Sequence, residues 1–198
     1  ALEKTDCFPP LIRHEGRDVW VEYIKKDLGW GEQSDAIALF FTDLYDYQLG
    51  RPGKVVPATV LWARLQADLD TLCAHELIDQ ATATQVNALA RKIAPPVLVK
   101  GFDYVDAVGK NFVLCNGRAV GIDVEALLGD QCLGVGLAKA EYRGLMSMST
   151  SELLAQLDDQ LAAQYPLVRL LFLTRYFCEK IEQGKPKHIR LSALTDLL

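Results

Sequence analysis

The order of apolar and polar residues predicts a β-hairpin in the middle of the chain. Residues 112–115 and 119–122 are short apolar runs on either side of an Asn-Gly dipeptide at 116–117, which is the sequence that most strongly favours a two-residue hairpin turn. A tight hairpin returns the chain to its starting level. We therefore expect Asn111 and Asp123, at the open end of this hairpin, to lie close together.

Two other regions have the character of strands. Residues 11–12 and 19–24 are rich in branched and aromatic side chains and flank a polar turn, a pattern typical of a hairpin. Residues 96–99 form a short apolar run that we expect to be a strand, followed by a polar loop over residues 100–110. These predicted strands are few and short.

Helical spacing of apolar residues covers most of the remaining chain. Proline and glycine supply the expected boundaries, because proline lacks the amide donor that a helix needs; Pro166 is expected to separate the last two helices. The predicted helices are residues 34–49, about 58–77, 82–93, 135–145, 150–164 and 167–183. The sequence therefore predicts an α+β fold that is mostly helical.

Composition and charge narrow the range of functions. The chain has 198 residues, half of them apolar, and a formal net charge of -5 with acidic and basic residues interspersed. This distribution gives no basic surface for nucleic acid or anionic membranes. No apolar run approaches the roughly 20 residues that span a bilayer, and no export signal is visible. We expect a cytoplasmic protein with no membrane span and no nucleic-acid partner.

The cysteines and histidines carry no recognisable motif. The five cysteines are scattered without a C-x-x-C spacing, which favours buried thiols over disulfides. The three histidines lie far apart, which disfavours a zinc site. Because residue 1 is alanine, we expect that the chain is processed or is part of a longer protein.

Three oxygen-bearing side chains near the central hairpin suggest chemistry. The amide oxygen of Asn111 and the carboxylate of Asp123 are the hard ligands that Mg²⁺ prefers, with water and phosphate completing an octahedron. Asp106 lies five residues before Asn111 and could approach the same point. A carboxylate there could orient and deprotonate a substrate hydroxyl while the metal neutralises phosphate charge.

These residues resemble the catalytic segment of the protein-kinase-like superfamily. In that family an aspartate is followed five positions later by an asparagine, as in Asp-Ala-Val-Gly-Lys-Asn at 106–111. A hairpin then leads to the metal-binding aspartate, and Ile-Asp-Val-Glu at 122–125 is similar to the form in aminoglycoside and choline phosphotransferases or lipopolysaccharide kinases. The resemblance implies that Asp106 is the catalytic base, that Asn111 and Asp123 bind Mg²⁺, and that ATP is the phosphoryl donor.

The resemblance also implies an organisation for the whole chain. Residues 1–30 would be a remnant of the kinase first lobe and its hinge, where the backbone of Glu22, Tyr23 and Ile24 would hydrogen-bond adenine. Residues 31–198 would be the helical second lobe that carries the catalytic loop and the metal-binding hairpin. The expected architecture is thus a kinase-like second lobe with a short N-terminal hairpin and a truncated or missing first lobe.

The sequence departs from the family at several positions. The family's histidine before the catalytic aspartate is replaced by Tyr104, and Val108 stands where a lysine or histidine is expected. Glu125 takes the place of the glycine that ends the metal motif, and no glycine-rich phosphate loop precedes residues 22–24. In an alternative assignment, Lys25 is the ATP lysine and Glu32 its partner.

Other interpretations of the same residues remain open. Asp106 and Asn111 could form an ordinary capped turn, and Asp123 could cap the following helix. Asp103 is a rival catalytic base, although its spacing to Asn111 differs from the family's by three positions. Gly-Val-Gly at residues 134–136 precedes a helix and could hold a phosphate, but it lacks the lysine of a phosphate-binding loop.

Two functions follow from these observations. The first is an ATP- and Mg²⁺-dependent phosphotransferase acting on a hydroxyl of a small molecule, a sugar or a protein. The second is a degenerate kinase fold that binds or regulates without turnover. The retained Asp106, Asn111 and Asp123 favour the first, and the replaced histidine and absent glycine-rich loop favour the second.

Overall fold

The computed structural model describes residues 5–16, 18–25, 34–49 and 53–198. Within them the α-helices are α1 (Ser34–Leu49), α2 (Trp62–Ala74), α3 (Gln80–Ile93), α4 (Val135–Tyr142), α5 (Thr150–Leu157), α6 (Asp159–Glu182) and α7 (Ser192–Thr195). The strands are β1 (Leu11–Glu15), β2 (Asp18–Val21), β3 (Lys54–Pro57), β4 (Val97–Tyr104), β5 (Phe112–Cys115), β6 (Arg118–Gly121) and β7 (Leu127–Cys132). The predicted α+β, mostly helical fold is confirmed.

The central hairpin forms between β5 and β6. Phe112 pairs with Gly121 and Cys115 with Arg118, so the second strand begins one residue earlier than predicted. Asn116 and Gly117 both have positive φ, at 51° and 75°, as a tight turn between right-twisted strands requires. The local turn chemistry therefore suffices to specify this hairpin.

Strand β4 is longer than its sequence pattern suggests. It lies between β3 and β7 in a three-stranded antiparallel sheet, so backbone pairing on both sides extends it to Tyr104. The expected loop over residues 100–110 is therefore wrong for its first part. Asp103 and Tyr104, at the end of β4, are fully buried.

The predicted helix break at Pro166 is also wrong, because α6 continues through this residue. The break lies at Asp158, whose carboxylate accepts a hydrogen bond of 2.8 Å from the N–H of Leu161 and so caps α6. Leu167 and Leu170 are completely buried, and this packing outweighs the lost backbone bond at proline. The helix predicted for residues 58–77 is shorter, with a 3-10 turn at Ala58–Leu61 before α2.

Two apolar clusters form the core. One surrounds α1 and the central hairpin, and it includes Phe40, Tyr104 and Phe112. The other is formed mainly by α2, α3 and α6. Phe172 of α6 contacts both clusters, which are therefore continuous. The catalytic segment predicted from sequence lies over the first cluster.

The N-terminal segment is attached to the central hairpin. The N–H of Gly121 donates a 2.8 Å hydrogen bond to the carbonyl of Cys7, and the ring of Phe8 packs on Phe40 and Tyr104. A Cβ at position 121 would lie 3.1 Å from both the Phe8 and Tyr104 rings, so glycine permits this close approach. The predicted domain boundary near residue 30 falls among residues 26–33, outside the described residues.

Among the described residues, no helix is both long enough and apolar enough to cross a bilayer.

Candidate functional site

The two ends of the central hairpin meet at the hydroxyl group of Tyr104. This hydroxyl donates a hydrogen bond of 2.8 Å to the carbonyl of Asn111 and accepts one of 3.1 Å from the N–H of Asp123. The N–H of Ile122 also donates to the Asn111 carbonyl, at 2.9 Å. The structure thus brings the backbone of Asn111 and Asp123 together, as the hairpin pattern predicts.

The side chain of Asn111 is fixed by Asp106. Its Nδ2 donates to the backbone carbonyl of Asp106 at 2.9 Å and to Oδ2 of the same residue at 3.1 Å. Asn111 is buried, with 4% of its surface exposed. Since both donor bonds use the amide nitrogen, the amide oxygen remains the group that can coordinate a cation.

Asp123 lies at the other end of the hairpin with one carboxylate oxygen engaged. Its Oδ1 accepts a hydrogen bond of 3.2 Å from the N–H of Glu125, which caps the short 3-10 turn at Val124–Ala126. The capping role considered from sequence is therefore present. It does not occupy the whole carboxylate, which is only partly buried.

Asp106 and Asp123 both lie near the phenol of Tyr104. Burial raises the pKa of this phenol, and the negative charges of Asp123 and Asp106 raise it further. Tyr104 is therefore protonated at neutral pH and can keep donating to Asn111. Tyr104 therefore has a defined structural role as the link between Asn111 and Asp123.

Lys139 of α4 forms an ion pair with Oδ1 of Asp106. Burial alone would raise the pKa of Asp106, but hydrogen bonds and charge from Lys139, together with the Asn111 amide and Lys110, lower it below its usual value. Asp106 is thus ionised at neutral pH and can accept a hydrogen bond from a hydroxyl group. Sequence spacing gave no sign of Lys139, which lies 33 positions from Asp106.

Asp103 is unsuited to be the catalytic base, because it is completely buried. Its carboxylate accepts hydrogen bonds from the Tyr45 hydroxyl at 3.1 Å and the Tyr104 N–H at 2.8 Å. It also accepts from the N–H groups of Gly134 and Gly136, at 2.9 and 3.2 Å. Burial raises the pKa of Asp103 to about 6, although these donors act to lower it.

The same contacts rule out a phosphate cradle at residues 134–136. The N–H groups of Gly134 and Gly136, which would have to face a phosphate, point at the carboxylate of Asp103. A Cβ on Gly136 would overlap the carbonyl of Tyr104. These glycines therefore allow α4 to pack against β4 and so bring Lys139 to Asp106.

A cavity of about 550 Å³ opens beside Asp106. It is bounded by α2, β7, α4 and α6, and its lining includes Asp106, Lys139 and Tyr176. This volume is within the usual range for small-molecule sites. A compound in the cavity could therefore present a hydroxyl group to Asp106.

The proposed adenine-binding segment leaves only some of its backbone groups available. The N–H of Glu22 donates to the carbonyl of Pro10 at 2.9 Å, so it is already engaged. Tyr23 is 88% exposed. The adenine role of Glu22, Tyr23 and Ile24 stays a prediction. The alternative role of Lys25 as the ATP lysine also stays a prediction, because its suggested partner Glu32 lies outside the described residues.

The donor groups around the hairpin are of the chemical kind that binds magnesium. The amide oxygen of Asn111 accepts no hydrogen bond from the described residues, and one oxygen of Asp123 is open. The part of the chain that the structure describes contains no group of three or more His, Cys, Asp or Glu residues placed to hold a metal. A cation here would therefore depend on one carboxylate, one amide oxygen, water and phosphate, the arrangement Mg²⁺ favours.

Comparisons with protein-family models, curated proteins and solved structures gave no match to this chain. Function must therefore be argued from the site itself.

Proposed function

We propose that the chain is an ATP- and Mg²⁺-dependent phosphotransferase that acts on a hydroxyl group of a small molecule, a sugar or a protein. One observation carries the proposal. The Tyr104 hydroxyl links the backbone of Asn111 and Asp123, while the Asn111 amide nitrogen bonds to Asp106. These contacts bring the backbone of the two candidate metal ligands together and join one of them to the candidate base, which supports the proposal.

Asp106 is the proposed base. It is ionised at neutral pH and lies at the edge of the cavity, where it can orient a hydroxyl group and accept its proton as the oxygen attacks phosphorus. The bond between the γ-phosphorus and the bridging oxygen of ATP would break as the new bond forms, and ADP would leave. The position of Asp106 is fixed by Asn111 and Lys139, and such positioning supplies a large part of the rate enhancement in phosphoryl transfer.

Asn111 and Asp123 are the proposed metal ligands. When bound, Mg²⁺ would neutralise charge on the phosphates of ATP. The contribution of the chain would be to hold an amide oxygen and a carboxylate in position. The Tyr104 hydrogen bonds support this by joining the backbone of the two residues. The backbone of residues 22–24 is the proposed adenine contact. In this proposal it belongs to the remnant of a first lobe and hinge, and residues 31–198 form a kinase-like second lobe.

The test is nucleotide binding with and without Mg²⁺, measured by calorimetry on the wild-type chain and on Asp123→Ala. We expect Mg²⁺ to strengthen ATP binding in the wild type and to have little effect in the variant. Glu125→Gln is the matched control, since it removes a neighbouring exposed carboxylate and should retain the Mg²⁺ effect. Unchanged Mg²⁺ dependence in Asp123→Ala would refute the metal assignment.

A second candidate is a degenerate kinase fold that binds nucleotide without turnover. The observation in its favour is the ion pair between Lys139 and Asp106, which makes the carboxylate a weaker base by lowering its pKa. Measuring ADP release in the presence of candidate hydroxyl compounds separates the two functions. Nucleotide binding that depends on Asp123, with no acceptor-stimulated release of ADP, would favour the degenerate fold.

A further inference from the structure

A group of basic residues surrounds two packed tyrosines next to the cavity. The rings of Tyr142 and Tyr176 lie 5.1 Å apart between centroids. We call the basic residues around them the basic cluster. It consists of Lys139, Arg143, Lys180, Lys185 and Arg190.

Several contacts place these cations together. The Nζ atoms of Lys180 and Lys139 lie 4.9 and 5.9 Å from the centre of the Tyr176 ring, and the guanidinium of Arg190 lies 4.4 Å from that of Tyr142. Burial lowers the pKa of Lys180, and the positive charges of Lys139 and Lys185 lower it further. Like charges are therefore crowded on this surface.

The basic cluster has little compensating negative charge. Among the ion pairs of the described residues, Lys139 with Asp106 is the one that involves a member of the cluster. The nearby carboxylates of Glu179 and Glu182 on α6 pair with Arg175, although the charge of Glu179 also acts on Lys180. In a chain of net charge -5, a cluster in which four of the five cations form no ion pair among the described residues favours an anionic ligand.

We propose that the basic cluster binds the phosphate group of a small phosphorylated hydroxyl compound, which is the acceptor substrate. Arginine and lysine together suit phosphate, because the guanidinium gives paired hydrogen bonds and the ammonium a point charge. The role of this compound as the acceptor rests on the proposed phosphotransferase function. Binding of phosphate by the basic cluster is independent of that function.

The location of the cluster explains how it would serve the reaction. Lys139 touches Asp106 and lines the cavity together with Tyr176. Lys180 also contacts the Tyr176 ring, and the negative charge of Asp106 acts to raise the pKa of Lys180. A phosphate on the cluster would therefore leave the rest of a small molecule inside the cavity, with a hydroxyl group directed to Asp106.

The experiment is a titration of the whole chain with inorganic phosphate and with glycerol 3-phosphate, without nucleotide or Mg²⁺, followed by amide NMR. We expect saturable binding that is about tenfold weaker in Lys180→Gln, since one charge-assisted hydrogen bond is lost. Lys180→Arg should retain binding. Lys92→Gln removes an exposed lysine at the end of α3 and should change nothing.

A second comparison tests proximity to the proposed base. Asp106→Asn removes a negative charge and frees Lys139 from its ion pair, so it should strengthen phosphate binding. Unchanged affinity in this variant would overturn the acceptor role. Absence of saturable binding to the wild type, or equal losses in Lys180→Gln and Lys92→Gln, would overturn the site.

The source of the phosphate is tested with vesicles. Phosphatidylcholine vesicles with and without phosphatidic acid present the same phosphate on a lipid. Preference for phosphatidic acid vesicles, with no binding of glycerol 3-phosphate, would overturn the small-molecule assignment. Because none of these measurements uses nucleotide, a failed Mg²⁺-ATP experiment on Asp123→Ala would leave the phosphate site standing and remove only its role in phosphoryl transfer.

Discussion

The hydroxyl group of Tyr104 donates a hydrogen bond to the backbone carbonyl of Asn111, seven residues later in the chain. The same oxygen accepts the N–H of Asp123. One buried side chain therefore holds both ends of the central hairpin, and through them the proposed metal ligands. Three predictions follow from the contacts around it.

The first prediction concerns the Tyr104→Phe variant. Removing the hydroxyl leaves the N–H of Asp123 without its acceptor, whereas the carbonyl of Asn111 keeps its bond from Ile122. We expect a loss of about 2 kcal/mol in the free energy of unfolding, measured by urea denaturation. Mg²⁺-dependent ATP binding should weaken in parallel.

The control for Tyr104→Phe is Tyr23→Phe, which removes a hydroxyl from a side chain that is 88% exposed. Its free energy of unfolding should match the wild type. If Tyr104→Phe is as stable as Tyr23→Phe, the hydroxyl does not hold the hairpin.

The second prediction concerns Asp103 and the pH dependence of stability. Burial raises the pKa of this carboxyl from 3.8 to about 6. The folded state therefore binds its proton more tightly than the unfolded state, so the contribution of Asp103 to stability is greatest below about pH 4 and falls as pH rises to 6. Between the protonated and the ionised state of Asp103, this contribution to the free energy of unfolding changes by about 3 kcal/mol.

The measurement compares urea unfolding of the wild type and Asp103→Asn across this pH range. Asparagine cannot replace every bond that the carboxylate accepts, so the variant should be less stable at every pH. The difference in the free energy of unfolding between the two proteins should become smaller from pH 4 to 6, because only the wild type loses stability through ionisation of Asp103. A gap that is independent of pH would contradict the raised pKa.

The third prediction concerns Lys139→Gln. Lys139 lowers the pKa of Asp106, so removing the lysine should raise that pKa. If Asp106 is the base, the acidic limb of the pH profile of kcat/KM should move to higher pH. Carbon NMR of the Asp106 carboxyl group would show the same shift without requiring turnover.

Lys100→Gln is the control for this variant. Lys100 lines the same cavity but pairs with Asp130. Replacing Lys100 should therefore leave the pKa of Asp106 as it is in the wild type. Equal shifts in both variants would mean that the general charge of the cavity, rather than the ion pair, sets the pKa.

The sequence predicts local features of this fold well. The Asn-Gly turn determines the central hairpin through the positive φ angles of its two residues, so β5 and β6 are found almost to the residue. The proximity of Asn111 and Asp123 follows from that hairpin alone. Helix α1 is likewise predicted with its correct bounds.

Contacts between distant segments could not be predicted. Asp103 organises the N-terminus of α4, and Lys139 reaches Asp106, through the packing of α4 on β4. Neither contact has a signature in residue spacing. Strand β7 has no fully buried residue and gains its conformation by pairing with β4. Helix α6 passes Pro166 because packing on its buried face compensates for the lost bond.

The hydrogen bond between Cys7 and Gly121 connects two segments that the proposed function assigns to opposite ends of a nucleotide. Gly121 is two residues from Asp123, the proposed ligand of the Mg²⁺ that would bind the phosphates. Cys7 leads into β1 and β2, beyond which lies the proposed contact of the adenine base. In the proposed enzyme, the spacing between the adenine base and the phosphates would thus be set by two short backbone segments joined by one hydrogen bond. Nucleotides with a longer or shorter phosphate chain would fit one end at the expense of the other.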